Sequence, residues 1–194
     1  MGPVYLDSEA TLEKQVKIAE ESARKGANLV IFPECANPIY PIHPQSWTEL
    51  VKFRESLASA AISINSRILE RLRELAKDLS IHIVTGFVEA GDTGMHNSAV
   101  LIGSNGAIVG VHRKTGLTAH ERLFMSLSEE ADVGVFDTGL GRIGIAMCYE
   151  HFNHFSPGYI ESLWRAGEQI HCALWVAPPW LEKVIEYSAK YGAI

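Results

Sequence analysis

The sequence has 194 residues, 47% of them hydrophobic and 21% charged, with a formal net charge of −6. That length and balance fit one globular domain with a sizeable core. The acidic excess, with no basic block to neutralise phosphates, excludes nucleic acid as an obvious partner, and no apolar run reaches the length of a membrane-spanning helix.

Asp7 and Ser8 can cap a helix starting near Glu9, in which Leu12, Val16, Ala19 and Ala23 recur at helical spacing and Gly26 gives the stop. Leu29 to Phe32 is a short continuous apolar run, predicting a strand buried on both faces. Residues 35–46 are proline-rich and read as loop. A weaker helical stretch covers Trp47 to Ala61, and Ile64, Ile68, Leu72, Leu75 and Leu79 mark a second amphipathic helix. Ile81 to Ala90 alternates and is rich in β-branched residues, which predicts a strand. After a GDTG turn, NSAVLI and AIVGVH flank GSNG as a hairpin. Residues 113–130 are polar and irregular. VGVFDT and RIGIAMC are further strands, Ser156 and Pro157 open a helix running to about Ala166, and His171 to Pro178 reads as another strand. The last residues have a helical pattern. Alternating helices and short apolar strands with consecutive hairpins predict an α/β, or layered α+β, fold in a single domain over residues 1–194.

Three cysteines, Cys35, Cys148 and Cys172, fit neither a zinc spacing nor a CxxC motif. They point to a reducing, intracellular setting. The N-terminus has no basic region followed by an apolar core, so a cytoplasmic location is expected. GLGRIG, Gly139 to Gly144, satisfies the dinucleotide fingerprint by letter, but a strand follows it where a helix is needed, so a hairpin turn is the better reading. His151 and His154 have the spacing of two ligands on one helical face. No third ligand accompanies them, so they read as surface or supporting histidines, with no metal and no organic cofactor expected.

Three apolar strands end on chemically capable side chains: Glu34 after LVIFP, Lys114 after VGVHR and Cys148 after GIAM. Strand ends hold side chains rigidly yet within reach of a ligand. A thiol, a carboxylate and an ammonium are the parts of covalent acyl-type chemistry. Each alone has an ordinary alternative: a buried small hydrophobe for Cys148, a solvated charge for Lys114 and a capping or ion-pairing group for Glu34.

Together the segments resemble the signatures of the carbon–nitrogen hydrolase (nitrilase) superfamily. FPE at 32–34 is similar to its glutamate segment, HRKTGLTAHER at 112–122 to its lysine segment and GRIGIAMCYE at 141–150 to its cysteine segment. PVYLDSEATLEK near the start and GEQIHCALWVAPPW near the end resemble the nitrilase branch. The resemblance implies a nitrilase-like αββα sandwich with Cys148 as nucleophile, Glu34 as general base and Lys114 as stabiliser of the tetrahedral intermediate. By the same resemblance Glu121 lines the site and positions substrate or lysine, and the backbone N–H of Tyr149 is a candidate oxyanion donor. Lys114 is expected to favour the Cys148 thiolate, aided by a helix N-terminus after Cys148.

Tyr149 stands where the family usually has tryptophan, Leu117 where proline is common, and residues 36–44 and 151–155 also depart from the pattern, which bears on substrate preference. The chain is shorter than the family's domain and is expected to hold about two-thirds of it. The implied activity is conversion of a small-molecule nitrile to a carboxylic acid and ammonia, with self-association into homo-oligomers. An amidase or a cyanide-converting enzyme of the same superfamily, and a truncated non-catalytic assembly subunit, are the alternatives.

Overall fold

A computed structural model describes residues 6–38, 46–128, 133–176 and 190. Helix α1 (Ser8–Arg24) begins where the Asp7 carboxylate accepts the Ala10 N–H, and the chain turns at Gly26 with φ +88°. Strand β1 (Leu29–Ile31) leads to the Glu34 segment. Helices α2 (Trp47–Ala60) and α3 (Arg67–Leu79) are both capped by serine, Ser46 and Ser66, whose hydroxyls accept an N–H of the first turn.

Strands β2 (His82–Gly91), β3 (Gly94–Ile102) and β4 (Ile108–Arg113) form consecutive antiparallel hairpins, and β1 joins β2 in parallel, giving a sheet ordered β1-β2-β3-β4. A second sheet is ordered β5-β6-β7, from β5 (Val135–Thr138), β6 (Gly141–Met147) and β7 (Ile170–Leu174), with helix α4 (Tyr159–Arg165) between the last two. Thr138 pairs with Gly141 across the two residues Gly139 and Leu140, so GLGRIG is a hairpin turn followed by a strand, as its context predicts.

The period-2 alternation of β2 and β3 separates two cores. Ile83, Phe87, Val100 and Ile102 face α1 and α3, where they meet Leu12, Ala19, Leu69 and Leu72. Val84, Ala99 and Leu101 face the other way, onto Ile143, Ile145 and Met147 of β6 and Cys172 and Leu174 of β7. On the far side of the second sheet, Ala146 packs against Tyr159, Ile160 and Leu163 of α4. The layers therefore run helices, sheet, sheet, helix: an αββα sandwich. Each fully buried Ile or Leu of its middle contributes about 1.5–3 kcal/mol. Helix α2 closes one end through Leu50, Phe53 and Leu57, with Phe124 edge-on to Phe53.

Two expectations need correction. β1 is not buried on both faces: it lies at the sheet edge, paired among the described residues with β2 alone, and Ile31 is 44% exposed. Helix α4 starts at Tyr159 rather than at Ser156 and Pro157, because Gly158 adopts φ +74° and the Ser156 hydroxyl is engaged with Thr115 at 3.0 Å. The middle of the proline-rich loop, the end of the predicted last strand and most of the C-terminal helical pattern lie outside the described residues.

Candidate active site

Glu34 is placed by the continuation of β1 along β2. Phe32 N–H donates to Val84 O at 2.8 Å and Gly86 N–H to Pro33 O at 3.1 Å. Gly86 is required there, since a Cβ would stand 2.7 Å from the Glu34 Cα. Lys114 follows β4 directly and its N–H donates to Asn97 O at 2.8 Å on β3. Glu121 heads a single 3₁₀ turn (Glu121–Leu123), locked by a reciprocal pair in which Thr118 N–H donates to Glu121 Oε2 at 2.7 Å and Glu121 N–H to Thr118 Oγ1 at 3.2 Å. Cys148 follows β6 directly and opens a second 3₁₀ turn (Cys148–His151) with φ +46°, a left-handed conformation that costs a non-glycine residue about 1–2 kcal/mol.

These side chains converge. Lys114 Nζ donates to Glu34 Oε1 at 2.6 Å and to Glu121 Oε1 and Oε2 at 2.9 and 3.1 Å, with all three side chains almost fully buried. Asn97 Nδ2 bridges the two carboxylates at 2.8 Å each, and its Oδ1 accepts from the Cys35 thiol at 3.3 Å. Glu34 Oε2 is buried and meets no nitrogen or hydroxyl donor among the described residues, and the Cys148 thiol interacts with the Glu34 carboxyl. The Cys148 thiol lies close enough to Glu34 and Lys114 for both charges to act on it.

The electrostatics divide the two carboxyls. Burial pushes Glu34 above the usual carboxylate range, Lys114 pulling it back only in part and Glu121 adding to the rise. Burial also works to raise Glu121, but Lys114 and the Thr118 N–H outweigh it and hold Glu121 below that range. Burial disfavours the Lys114 ammonium, yet Glu34 and Glu121 more than compensate, so the lysine stays charged. Two carboxyls with pKa values pushed apart around one cation are the pattern of a site with a separate proton carrier and a fixed anion.

Lys114 does favour the Cys148 thiolate, as expected, but it does not decide the resting state. Burial raises the Cys148 thiol, Glu34 raises it further, and Lys114 offsets only part of this, so the sulfur carries its proton. The helix expected after Cys148 is one 3₁₀ turn, too short for an appreciable dipole. Tyr149 is half-buried, its ring edge-on to Phe155 at 4.5 Å and tilted against Phe152 at 5.6 Å. His151 and His154 face different neighbours: His151 is buried under Trp175, and His154 leans on Phe152 and Phe155.

Sequence reasoning did not single out Asn97, His112, Thr115 and Glu150 as parts of the site. The fully buried Glu150 carboxylate accepts from Met147 N–H at 2.8 Å, from Thr115 N–H and Oγ1 at 2.7 and 2.8 Å, and faces His112 Nε2 at 3.0 Å. Tyr159 OH donates to Ile145 O at 2.8 Å and stacks beside His112. Glu150 thus ties the Lys114 segment of the first sheet to the Cys148 turn of the second. The signal available was its position, three residues after Met147, where a carboxylate can reach back to a backbone N–H.

The αββα layers, with this cluster where the two sheets meet, agree with the chain's relatives. The carbon–nitrogen hydrolase family model matches residues 1–194, and the chain belongs to that family. Within it the chain stands on the nitrilase branch: it is 34% identical over 180 residues to nitrilase 3 of Arabidopsis thaliana, covering 88% of this chain and 50% of that protein. It is 31% identical over 190 residues to a cyanide hydratase of Gibberella baccata, covering 94% and 52%. The chain thus spans about half the length of these curated relatives. A mutant of the Nesterenkonia AN1 amidase from the nitrilase superfamily shares the fold, with a TM-score of 0.79 at 17% identity over 99% of this chain and 70% of that one. Among the described residues no helix is long and apolar enough to cross a membrane.

Proposed function

We propose that the protein hydrolyses a small-molecule nitrile to a carboxylic acid and ammonia, with Cys148 as nucleophile, Glu34 as proton carrier and Lys114 and Glu121 as fixed charges around the reacting carbon. The observation that carries this reading is the buried Glu34 carboxyl, raised by burial and facing a protonated Cys148 thiol, with Lys114 bonded to both it and Glu121. A buried carboxyl raised above its ordinary range is suited to take a proton from a neighbouring thiol and give it back.

Glu34 takes the thiol proton as sulfur bonds to the nitrile carbon, and returns it to the nitrogen, giving a thioimidate. Water, deprotonated by Glu34, adds to the same carbon. The C–N bond then breaks with a proton delivered to nitrogen, and ammonia leaves behind a thioester. A second water releases the acid and restores the thiol. Lys114 stabilises the negative charge of each tetrahedral stage, the Tyr149 N–H is an oxyanion donor, and Glu121 keeps Lys114 charged and aimed. The residues need no metal or organic cofactor for these steps.

The same constellation can act on an amide, and the similarity to a cyanide hydratase supports hydration of cyanide to formamide as a second reading. Cytoplasmic location, drawn from the free cysteines, and homo-oligomerisation, drawn from the family resemblance, are further parts of the proposal. Ammonia release from aliphatic and aromatic nitriles, with their matching amides and with cyanide, tests it. Release from nitriles that disappears in Cys148→Ala is the expected result. Release from amides only, or formamide from cyanide, selects an alternative, and no release from soluble, folded protein favours a non-catalytic subunit.

A further inference from the structure

Behind the nucleophile lies a second polar group with no part in the steps above. His151 Nδ1 is 2.9 Å from Cys148 O, His151 Nε2 is 3.1 Å from His171 Nε2, and His171 Nδ1 is 3.0 Å from Glu168 Oε2. The side chains of His171 and Glu168 are 3% and 2% exposed, and His151 is fully buried. The Trp175 ring stacks on His151 at 5.0 Å. On β6, Gly144 pairs with His171 of β7, and a Cβ at Gly144 would collide with the Glu168 carboxylate, so the strand leaves a cradle for that group.

We propose that Glu168, His171 and His151 form a buried hydrogen-bonded chain, with one proton in each of its three links, that fixes the peptide carbonyl of Cys148 and so positions the nucleophile. This rests on Cys148 being the nucleophile.

The proton inventory follows from what each atom can do. A peptide carbonyl only accepts, so His151 carries its proton on Nδ1. Burial, with His171 adding to it, lowers His151 to a pKa of about 4, so the ring is neutral near pH 7 and its Nε2 is an acceptor. His171 Nε2–H must then donate to it. A third proton closes the link between His171 Nδ1 and Glu168. The groups facing it are Glu150 and Lys114 from the site side and Cys172 from β7, whose thiol Glu168 helps to raise. Cys148 sits at φ +46°, and a bond to its carbonyl helps hold this left-handed residue, and with it the Cα–Cβ direction of the thiol, in place.

The ¹⁵N resonances of the histidine rings test the inventory without substrate. His151 as the Nδ1–H tautomer and His171 with a proton on Nε2 are expected; His151 as the Nε2–H tautomer overturns the proposal. Kinetics test the positioning. Glu168→Leu is expected to lower kcat about tenfold while KM moves much less. Glu168→Gln, whose amide can donate to a neutral His171 Nδ1 and keep all three links, restores kcat. Equal losses in the two variants, or an unchanged kcat in Glu168→Leu, refute it. If the wild-type protein releases no ammonia from nitriles, the rate of Cys148 alkylation by iodoacetamide replaces kcat, with the same order of variants expected, so failure of the chain and failure of the nitrile-hydrolase reading remain separate.

Discussion

Replacing Gly86 by alanine puts the geometry of Glu34 to a direct test. The added Cβ would lie 2.6 Å from Pro33 O, 2.7 Å from Cys35 N and 2.7 Å from Glu34 Cα, whereas ordinary contact begins at 3.4 Å. β2 is held on both sides, by β1 and by β3, so the Glu34 segment must give way by about 0.7 Å. A shift of that size stretches the 2.6 Å bond to Lys114 and the 2.8 Å bond to Asn97 beyond good hydrogen-bonding range. Overpacking of this kind costs about 1–3 kcal/mol of stability, and if Glu34 is the proton carrier proposed above, misplacing it by most of an ångström costs roughly 10–100-fold in kcat/KM. Gly139→Ala, with nothing among the described residues within 4 Å of its Cβ and no left-handed φ, is the control. Ammonia-release kinetics and chemical denaturation of both variants give the comparison. Gly86→Ala with kcat/KM within twofold of the control would show that Glu34 is not placed by its contact with β2.

Glu150→Gln removes acceptor capacity from a carboxylate that meets Met147, Thr115 and His112, and points an amide N–H at a donor. A loss of about 2–4 kcal/mol is expected, which for a domain of this size lowers Tm by roughly 5–10 °C; thermal unfolding by circular dichroism decides, and a shift within 1 °C contradicts the bracing role. His151 gives a pH dependence. Its pKa falls from 6.5 to about 4 through burial first and His171 second, so the unfolded chain binds the proton more readily than the folded one. The corresponding stability is present above pH 6.5 and is lost as pH falls toward 4, on the order of 3 kcal/mol. The lowered carboxyls Glu150 and Glu121 add to the loss only below their ordinary value of 4.5. Unfolding free energies measured between pH 7 and 4 are expected to show a shallower decline in His151→Asn, and an unchanged slope excludes His151 as its source.

The elements that sequence made legible are those written in local pattern. The β2–β3 hairpin follows from alternation and β-branching, α3 from its apolar stripe, and the GLGRIG turn from the strand after it. Glu34, Lys114 and Cys148 stood out because each closes an apolar run within a contiguous motif. Asn97 did not, since it occupies one polar position inside β3 and gains meaning only when residues 63 and 24 positions away in sequence come to meet its amide. Glu150 reads as an ordinary charge beside the cysteine until Thr115 and His112 arrive from the other sheet. The protonated state of Cys148 was illegible for a different reason: a motif shows a cation near a thiol but not the burial that outweighs it.

The division of the site between two sheets has a further consequence. Glu34 and Lys114 are carried by the first sheet and Cys148 by the second, and the two are joined by an apolar layer in which Val84, Ala99 and Leu101 meet Ile143, Ile145 and Met147. Neither half holds all three of the proposed groups, so they come together only when the sheets dock. If Cys148 is the nucleophile proposed above, it is not displayed beside its partners on a half-folded intermediate, and a slide of one sheet over the other would separate the groups before it unfolded either sheet.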